Sequence, residues 1–336
     1  MSIRVGINGF GRIGRGFVRA VLDRADIDVV AVNDLTSPEV NAHLLAHDST
    51  QGRLGVPVRV TGEGFQVGER TIRVLAEREP AQLPWGELGV DVVIESTGRF
   101  TTRAAAAAHL DAGAPRVIIS APSGDADATF VVGVNEGDYD PARHRVMSNA
   151  SCTTNCFVPM VKVLDDALGV RAGLMTTVHA YTNDQNLLDL PHKDLRRARA
   201  AAINIVPSST GAARATSLVL AAMKGRLDGT SLRVPVADGS ITDFTAVVRT
   251  TSVDEVNAAF AAAASGALSH VLDYSDEPIV SSDIVGSPAS CTFDSLLTMV
   301  QPLDDSSSLV KVFGWYDNEW GYANRLVDLA ALVGRS

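Results

Sequence analysis

The segment Gly9-Phe10-Gly11-Arg12-Ile13-Gly14 has the pattern G-x-G-x-x-G and follows the apolar run Ile3–Asn8 directly. The run predicts a buried β-strand, and the periodicity of residues 12–23 predicts a helix after it. Asp34 stands twenty residues beyond Gly14, where a second predicted strand over 28–34 ends. A strand, a glycine-rich turn, a helix and a later acidic residue together indicate a dinucleotide-binding βαβ unit. The same glycines without that context would indicate only a tight turn.

The residues of this motif have separate physical roles. Gly9 permits the tight turn, Gly11 lets the backbone approach a pyrophosphate, and Gly14 allows the helix to pack closely on the strand. The N-terminus of the helix supplies free N–H groups and a partial positive charge. Because the Asp34 carboxylate can accept hydrogen bonds from both hydroxyls of an adenosine ribose, we expect NAD as the cofactor.

The first 150 residues alternate strand-like and helix-like patterns. Ser37 and Pro38 predict the start of a helix that runs through residue 43. Apolar, β-branched runs over 90–95 and 116–120 bracket an alanine-rich helix predicted over 102–112. Strands that alternate with helices indicate a mostly parallel sheet. We therefore predict an α/β fold that begins with a Rossmann dinucleotide-binding domain over residues 1–151.

The second half of the chain has longer strand patterns. A helix predicted over 152–166 is followed by strand patterns over 170–181, 232–236, 241–249, 296–300 and 309–316. Ser252 and Glu255 form a capping-box pattern for a helix over 253–264. Long strands in succession favour antiparallel pairing, so we predict an α+β catalytic domain over 152–318 with a mostly antiparallel sheet. We expect the C-terminal helix, within residues 319–336, to pack on the first domain.

Composition and charge limit the class of protein. The 336 residues suggest two domains at about 150 residues each. A formal net charge of −10 argues against nucleic acid and anionic membranes as partners. No apolar run reaches the roughly 18 residues of a membrane span, and the N-terminus lacks the layout of a signal peptide. The three cysteines form no disulfide framework, so we expect a reducing, cytoplasmic location.

Cys152 is the strongest candidate nucleophile. It lies in the first turn of a predicted helix, where the helix dipole favours a thiolate, so we expect a lowered pKa and high reactivity. The plainer interpretation of a lone cysteine is a small buried hydrophobe. Cys156 is one turn further into the helix and Cys291 has no supporting context, so we interpret both as structural. The C-x-x-x-C spacing has no second ligand pair, and no metal site is expected.

His179 follows Cys152 by 27 residues and lies in an apolar strand pattern. An isolated histidine in such a strand is more often a satisfied core residue. If the helix and the strand are adjacent, however, the Cys–His pair supplies a base for the thiol and a donor for the oxyanion. Arg233, in another apolar strand, is costly to bury without an anion. A phosphate is its expected partner.

The segments that complete this picture are INGFGRIGR (7–15), ND (33–34), VIESTGRF (93–100), VIISAP (117–122), SNASCTTNC (148–156), HAYTNDQ (179–185), NIVPSSTGAA (204–213), LRVPV (232–236) and WYDNEWGYANR (315–325). Together they resemble the phosphorylating glyceraldehyde-3-phosphate dehydrogenase family over essentially the whole chain. The resemblance implies a glycolytic oxidoreductase that oxidises D-glyceraldehyde 3-phosphate with NAD and inorganic phosphate to 1,3-bisphosphoglycerate. It also implies a thioester intermediate on Cys152, and a homotetramer in which the loop 182–206 packs between subunits.

The resemblance assigns roles to single residues. Cys152 is similar to the family's nucleophile, and His179 is similar to its base. The positions similar to substrate and phosphate contacts are Ser151, Thr153, Thr182, Arg197, Thr210, Gly211 and Arg233. The positions similar to cofactor contacts include two glycines of the motif, and the full set is Gly9, Gly11, Arg12, Ile13, Asp34, Arg78, Ser120 and Asn318.

Two alternative functions remain open at the level of sequence. Erythrose-4-phosphate dehydrogenases share the cysteine, the histidine and the nucleotide motif but release a free acid. The segment Ser208-Ser209-Thr210-Gly211 favours the phosphorylating reaction. The second alternative is a non-enzymatic thiol sensor that binds a nucleotide. Phe157, Gly16 and Gly314 depart from the family's usual residues, and we expect them to change packing rather than chemistry.

Overall fold

The computed structural model describes residues 2–335, which form two compact units. The first unit comprises residues 2–132, 136–151 and 323–335, and the second comprises residues 133–135 and 152–322. Within residues 2–335, no helix is both long enough and apolar enough to cross a membrane.

Within residues 2–335, the first unit is built on a largely parallel sheet of nine strands, and two further short strands, His47–Asp48 and Gly52–Arg53, pair with each other. The strands of the unit are β1 (Ile3–Asn8), β2 (Ile27–Asn33), β3 (His47–Asp48), β4 (Gly52–Arg53), β5 (Val58–Thr61), β6 (Gly64–Val67), β7 (Arg70–Leu75), β8 (Val92–Glu95), β9 (Arg116–Ile119), β10 (Ala128–Thr129) and β11 (Val146–Ser148). Its helices are α1 (Arg12–Ala20), α2 (Pro38–Ala46), α3 (Arg103–Ala106) and α4 (Ala108–Asp111). The C-terminal helix (Trp320–Val333) belongs to this unit from residue 323 onward.

The strand order of this sheet creates a crevice at one edge. The order is β10-β11-β9-β8-β1-β2-β7-β6-β5. Strand β1 is paired in parallel with β2 on one side and with β8 on the other, so the chain winds away from it in both directions. Ligands of such sheets bind beyond the carboxyl ends of the strands at this switch point. Asn8, Asn33 and Glu95 end the three strands concerned.

Two local features of the first unit differ from the sequence prediction. The edge β5–β6–β7 is antiparallel, and no strand was predicted there. The helix predicted over 102–112 is divided into α3 and α4. The division falls at Ala107, where the N–H of Leu110 bonds to the carbonyl of Ala107 only three residues back and tightens the turn.

The second unit combines a helix-covered core with a sheet of mixed orientation. Its helices are α5 (Cys152–Leu168), α6 (Ala212–Val219), α7 (Val253–Ser265) and α8 (Ser281–Ile284), and α9 is the C-terminal helix that begins at Trp320. Its strands are β12 (Ala172–Ala180), β13 (Val206–Ser209), β14 (Leu227–Val234), β15 (Ser240–Arg249), β16 (Leu272–Ser275), β17 (Cys291–Asp294), β18 (Met299–Asp304) and β19 (Ser307–Tyr316).

Most pairings in this second sheet are antiparallel, as predicted. The order is β13-β14-β12-β15-β19-β17-β16, with β18 also paired to β19. The pairs β12–β14 and β16–β17 are parallel. Strand β15 is thus the long antiparallel partner of both β12 and β19, and α5 packs against β15 and β19.

The capping box of α7 is confirmed, whereas one predicted strand is wrong. The Oγ of Ser252 accepts from the N–H of Glu255 at 3.2 Å, and Glu255 Oε2 accepts from the N–H of Ser252 at 3.1 Å. The strand predicted over 296–300 begins instead at Met299, because Ser295–Leu297 form a 3₁₀ turn. Asp294 caps that turn by accepting from the N–H of Leu296 at 3.2 Å.

Candidate active site

A pocket lies at the carboxyl edge of the first unit's sheet. Its volume is about 580 Å³, and its lining comprises Asn8, Gly9, Gly11, Asn33, Asp34, Leu35, Glu77, Arg78, Glu79, Ser96, Thr97, Arg99 and Phe100. The lining thus brings together four of the residues predicted to contact the cofactor, namely Gly9, Gly11, Asp34 and Arg78. The described lining does not include Arg12, Ile13 or Ser120.

The glycine-rich turn accounts for the residue types of the motif. Gly9 has a φ of +93°, and a Cβ there would lie 2.6 Å from the backbone nitrogen of Thr97. A Cβ on Gly14 would lie 2.4 Å from the carbonyl oxygen of Gly9, whereas one on Gly11 would meet open space. The turn is therefore closed on the protein side and open at Gly11, which is the shape that a pyrophosphate requires.

Asp34 is held at the edge of this pocket by backbone donors. Its Oδ2 accepts from the N–H of Phe10 at 2.9 Å, and its Oδ1 accepts from the N–H of Thr36 at 2.9 Å. Each oxygen keeps a further lone pair with which to accept a ribose hydroxyl. The residues present therefore fit the adenosine half of a dinucleotide.

Arg12 and Ile13 begin helix α1, and the N-cap Gly11 offers no side-chain cap for its first N–H groups. The guanidinium of Arg12 forms an ion pair with Asp48. We therefore expect the backbone of these two residues, rather than the Arg12 side chain, to face a phosphate. Ser120 follows β9, and its N–H bonds to the carbonyl of Glu95 at 2.9 Å.

In the second unit, Cys152 is the first residue of α5 and faces a histidine. Its Sγ lies 3.4 Å from Nε2 of His179, near the end of β12. Nδ1 of His179 lies 2.7 Å from the carbonyl oxygen of Ala180, which can only accept, so a hydrogen bond between them assigns the proton to Nδ1. The lone pair of Nε2 is consequently directed at the thiol.

Arg233 lies beside the histidine on the neighbouring strand. The parallel register of β12 and β14 pairs Arg233 with His179. Nη1 of Arg233 donates its two hydrogens to the carbonyl of Ala180 at 3.1 Å and to Oγ1 of Thr182 at 3.2 Å. It also lies 2.9 Å from Nδ1 of His179, a contact between two donors that is not a hydrogen bond. The geometry brings together a thiol, a base and a cation.

The expected lowering of the Cys152 pKa is wrong for this structure. Although part of the residue reaches the surface, burial of the thiol raises its pKa to about 11, against the opposing effect of Arg233. Burial and then the Arg233 charge lower the pKa of His179 to about 3. The dipole of α5 does not outweigh the loss of hydration, so the pair consists of a neutral thiol that donates to a neutral imidazole.

The remaining phosphate candidates fall into two groups. Arg197 forms an ion pair with Asp184, and Thr182 Oγ1 donates to the same carboxylate, so Thr182, Arg197 and Arg233 form one connected cluster. Thr210 and Gly211 stand at the start of α6, where Thr210 Oγ1 accepts from the N–H of Ala212 at 3.2 Å. Thr153 lies in the first turn of α5, and Ser151 belongs to the first unit.

Comparison with known proteins gives the family. The model of the glyceraldehyde 3-phosphate dehydrogenase C-terminal domain matches residues 151–318, and the model of the NAD-binding domain of the same family matches residues 3–103. The chain belongs to the glyceraldehyde-3-phosphate dehydrogenase family. Its N-terminal part is accordingly an NAD-binding domain.

Relatives match the chain from end to end. Glyceraldehyde-3-phosphate dehydrogenase 2 of Streptomyces avermitilis is 60% identical, over 99% of both chains. The glyceraldehyde-3-phosphate dehydrogenase of Streptomyces coelicolor is 61% identical, also over 99% of both chains. That of Mycobacterium tuberculosis is 60% identical over 100% of both.

Sequence reasoning assigned no role to several residues that surround the Cys152–His179 pair. The hydroxyl of Tyr316 is buried and lies 2.9 Å from Thr153 Oγ1 and 2.7 Å from Thr177 Oγ1, and its ring packs edge-on against His179. Ser240 Oγ accepts from the N–H of Ala180 at 3.0 Å and donates to Oδ1 of Asn318 at 2.7 Å. That bond leaves the Asn318 amide nitrogen as the end available to a ligand. The segment WYDNEW contains both Tyr316 and Asn318, but its pattern does not reveal these contacts.

The three residues expected to depart from the family's usual ones have packing explanations in this structure. A Cβ on Gly314 would lie 2.6 Å from the sulfur atoms of both Cys291 and Met160, so these side chains fill the space that it leaves. Phe157 packs edge-to-face on Phe244, with ring centroids 4.9 Å apart. A Cβ on Gly16 would lie 3.1 Å from the Cβ of Ala323.

The other two cysteines are buried and free. No group of three or more potential metal ligands occurs in the part of the chain that the structure describes.

Proposed function

We propose that the chain catalyses the phosphorylating oxidation of D-glyceraldehyde 3-phosphate, with NAD and inorganic phosphate, to 1,3-bisphosphoglycerate and NADH. The relatives, which are named glyceraldehyde-3-phosphate dehydrogenases, supply the identity of the substrate. The observation that carries the chemistry is the 3.4 Å contact between Cys152 Sγ and His179 Nε2. In this proposal the two units serve as the NAD-binding and catalytic domains.

The first step is attack of Cys152 Sγ on the aldehyde carbon. The thiol proton passes to Nε2 of His179 as the S–C bond forms and the carbonyl electron pair moves onto oxygen. The imidazolium then offers Nε2–H to the new alkoxide, so one residue is both base and oxyanion donor. Because the proton is transferred during attack, this route needs no preformed thiolate, which fits the raised pKa of Cys152.

The substrate's own phosphate assists this proton transfer. The guanidinium of Arg233, 2.9 Å from Nδ1, disfavours the imidazolium. A phosphate bound by Arg233, Thr182 and Arg197 would offset that positive charge and raise the basicity of His179. Phosphorylated substrates would therefore bind more tightly and also favour the active form of the base.

Oxidation of the hemithioacetal needs a hydride acceptor, which is the chemistry that NAD supplies when it is bound. Loss of the hydride from C1 and collapse of the alkoxide leave a thioester on Cys152. Inorganic phosphate then attacks the thioester carbonyl, the C–S bond breaks, and the thiolate recovers the proton held on His179. The groups proposed to hold this phosphate are Ser151, Thr153, Thr210 and Gly211.

Eight residues are proposed to hold the cofactor, and four of them line the pocket. In the pocket they are Gly9, Gly11, Asp34 and Arg78. Three lie outside its lining, namely Arg12, Ile13 and Ser120. The eighth is Asn318 of the second unit. Because Ser240 donates to Asn318 Oδ1, the amide nitrogen of Asn318 can donate to a carboxamide.

A steady-state assay tests the proposed function. NADH formation from glyceraldehyde 3-phosphate should require inorganic phosphate, and erythrose 4-phosphate should be the poorer substrate. Turnover that is equal with and without phosphate would support the free-acid reaction of an erythrose-4-phosphate dehydrogenase. A protein that binds NAD yet turns over neither aldehyde would support the thiol sensor.

We also propose that the chain forms a homotetramer and works in the cytoplasm. The loop 182–206 presents large apolar side chains to solvent, among them Leu187, Leu188, Leu195, Ile203 and Ile205, each at least 67% exposed. Large apolar side chains exposed along one segment favour an interface role for that segment. A reactive thiol that must stay reduced fits a cytoplasmic location. Light scattering should give the mass of four chains, and a stable monomer at working concentration would contradict the assembly.

A further inference from the structure

A fully buried carboxylate lies beneath the pocket of the first unit. Glu95 ends strand β8 and is 2% exposed. Its carboxylate is in contact with Asn8, Thr97 and His109. Because Asn8 and Thr97 also line the pocket, one layer of side chains separates Glu95 from the site proposed for the dinucleotide.

The protonation of His109 follows from its other neighbour. The indole N–H of Trp85 donates to Nδ1 of His109 at 3.0 Å. Nδ1 therefore carries no proton, and the neutral ring has its proton on Nε2. Nε2–H donates to Glu95 Oε2 at 2.9 Å, so His109 acts on Glu95 as a neutral hydrogen-bond donor.

The orientation of Asn8 is fixed from the opposite side. The amide of Asn33 accepts from the N–H of Glu77 at 2.8 Å and donates to its carbonyl at 2.8 Å, which determines which end of that amide is nitrogen. Asn33 Nδ2 also donates to Asn8 Oδ1 at 2.7 Å. Asn8 must then present its own Nδ2, which donates to Glu95 Oε2 at 2.6 Å.

The other carboxylate oxygen organises the wall of the pocket. Glu95 Oε1 accepts from the N–H of Thr97 at 2.8 Å and from its hydroxyl at 2.5 Å. Thr97 Oγ1 in turn accepts from the N–H of Arg99 at 3.1 Å, so its own proton is directed to Glu95. Both oxygens of Glu95 therefore face donors and act as acceptors.

From this convergence we propose that Glu95 is a positioning residue for the cofactor, whose carboxylate holds Asn8 and the turn 96–100 in the shape that binds NAD. The proposal rests on the proposed function, because it takes the pocket to be the NAD site. Glu95 lies behind the lining and acts through Asn8 and Thr97. His109 and Trp85 complete the carboxylate's shell on the side away from the pocket.

Isosteric replacement of Glu95 tests this role. In Glu95→Gln, the amide nitrogen must face two donors whichever way the side chain turns, so either Asn8 or the turn 96–100 loses its acceptor. We expect the dissociation constant of NAD, measured by calorimetry on the full-length protein freed of nucleotide, to rise by about tenfold or more. The kcat at saturating NAD should stay at the wild-type value, since the residue positions the cofactor pocket and not the thiol.

Trp85→Phe is the matched control. It removes one hydrogen bond from the same buried network, at the end away from the pocket. It should lower the melting temperature and leave the affinity for NAD unchanged. Equal weakening of NAD binding in both variants would mean general loosening of the domain and would overturn the proposal, as would wild-type affinity in Glu95→Gln.

A second variant covers the case in which Glu95→Gln does not fold. Thr97→Val keeps the shape of the side chain and removes the hydroxyl that links Glu95 to Arg99. It should bind NAD more weakly, and wild-type affinity would refute the role of the network. The wild-type protein separates this inference from the proposed function, because failure of the unaltered chain to bind NAD would refute the latter.

Discussion

His179 Nε2 lies 3.4 Å from Cys152 Sγ, and the carbonyl of Ala180 holds the ring so that its unprotonated nitrogen faces the thiol. The backbone thus selects the tautomer that acts as a base. Both partners are neutral in this arrangement, because burial raises the pKa of the thiol and lowers that of the imidazole. Cys152 therefore attacks the substrate because His179 accepts its proton during the attack, and not because the thiol is already ionised.

Alkylation of the cysteines should reflect this arrangement. Cys152 is partly exposed whereas Cys156 and Cys291 are buried, so brief treatment with iodoacetamide should label Cys152 almost alone. With the thiol pKa near 11 in the nucleotide-free protein, the rate should rise steadily from neutral pH to about pH 10, because the thiolate is the nucleophile. Peptide mapping across pH measures both. Equal labelling of the three cysteines, or a rate that levels off near neutral pH, would contradict the account.

Arg233→Ala should separate phosphorylated from unphosphorylated substrates. The change removes a charged partner of the substrate phosphate, so kcat/KM for glyceraldehyde 3-phosphate should fall by about a hundredfold or more. Activity on glyceraldehyde should be retained or increased, because His179 loses the neighbouring charge that lowers its pKa. Steady-state kinetics with both aldehydes decides the matter. A proportionate fall in both would make Arg233 a structural residue.

Asp238 should make stability depend on pH. Burial, and then the nearby Asp317, raise its pKa to about 8. Asp317 accepts from the N–H groups of Gly286, Glu319 and Trp320, so a shared proton resides on Asp238. The folded state binds this proton more tightly than the unfolded state, so its stabilising effect is full below the unfolded pKa of 3.8 and is lost as pH rises to about 8.

The Asp238→Asn variant tests that linkage, because it keeps a donor and cannot ionise. Relative to wild type, its melting temperature should improve as pH is raised from about 5 to about 9. Thermal unfolding at several pH values is the measurement. A constant difference between the two proteins over this range would show that Asp238 does not titrate as described.

Asp34 should make the enzyme prefer NAD to NADP. A 2′-phosphate would meet the Asp34 carboxylate, and the following residues, Leu35-Thr36-Ser37-Pro38, supply no cation. Like charges in contact cost several kcal/mol, so kcat/KM should favour NAD by about a hundredfold or more. Asp34→Ala should narrow that ratio, and similar efficiency with both cofactors in the wild type would contradict this assignment.

Local signals in the sequence were sufficient for much of the fold. The strand Ile3–Asn8, the start of α1 at Arg12 and the Ser252–Glu255 capping box depend on residues close together in the chain, and all three occur in the structure. The strand predicted over 296–300 failed for an equally local reason, because the cap from Asp294 favours a turn over the apolar pattern.

Contacts and pKa shifts that depend on residues far apart in the chain could not be predicted from the sequence pattern. Contact between Cys152 and His179 depends on how α5 packs on the sheet, and the sequence indicated it only through the family resemblance. The raised pKa of Cys152 depends on how completely the fold encloses the thiol, which no helix-dipole argument contains. The buried network around Glu95 likewise joins separate segments, because Asn8 and His109 bond to Glu95, and Trp85 bonds to His109.

The most direct test of the central claim is to trap the acyl-enzyme. The protein loaded with NAD is mixed with glyceraldehyde 3-phosphate in the absence of inorganic phosphate, and NADH and intact mass are followed together. We predict one NADH per chain, a phosphoglyceroyl adduct on Cys152, and continued turnover only when phosphate is added. His179→Asn should form the adduct about 10²–10⁴ times more slowly. Continuous NADH production without phosphate, or an adduct on any residue other than Cys152, would contradict the mechanism.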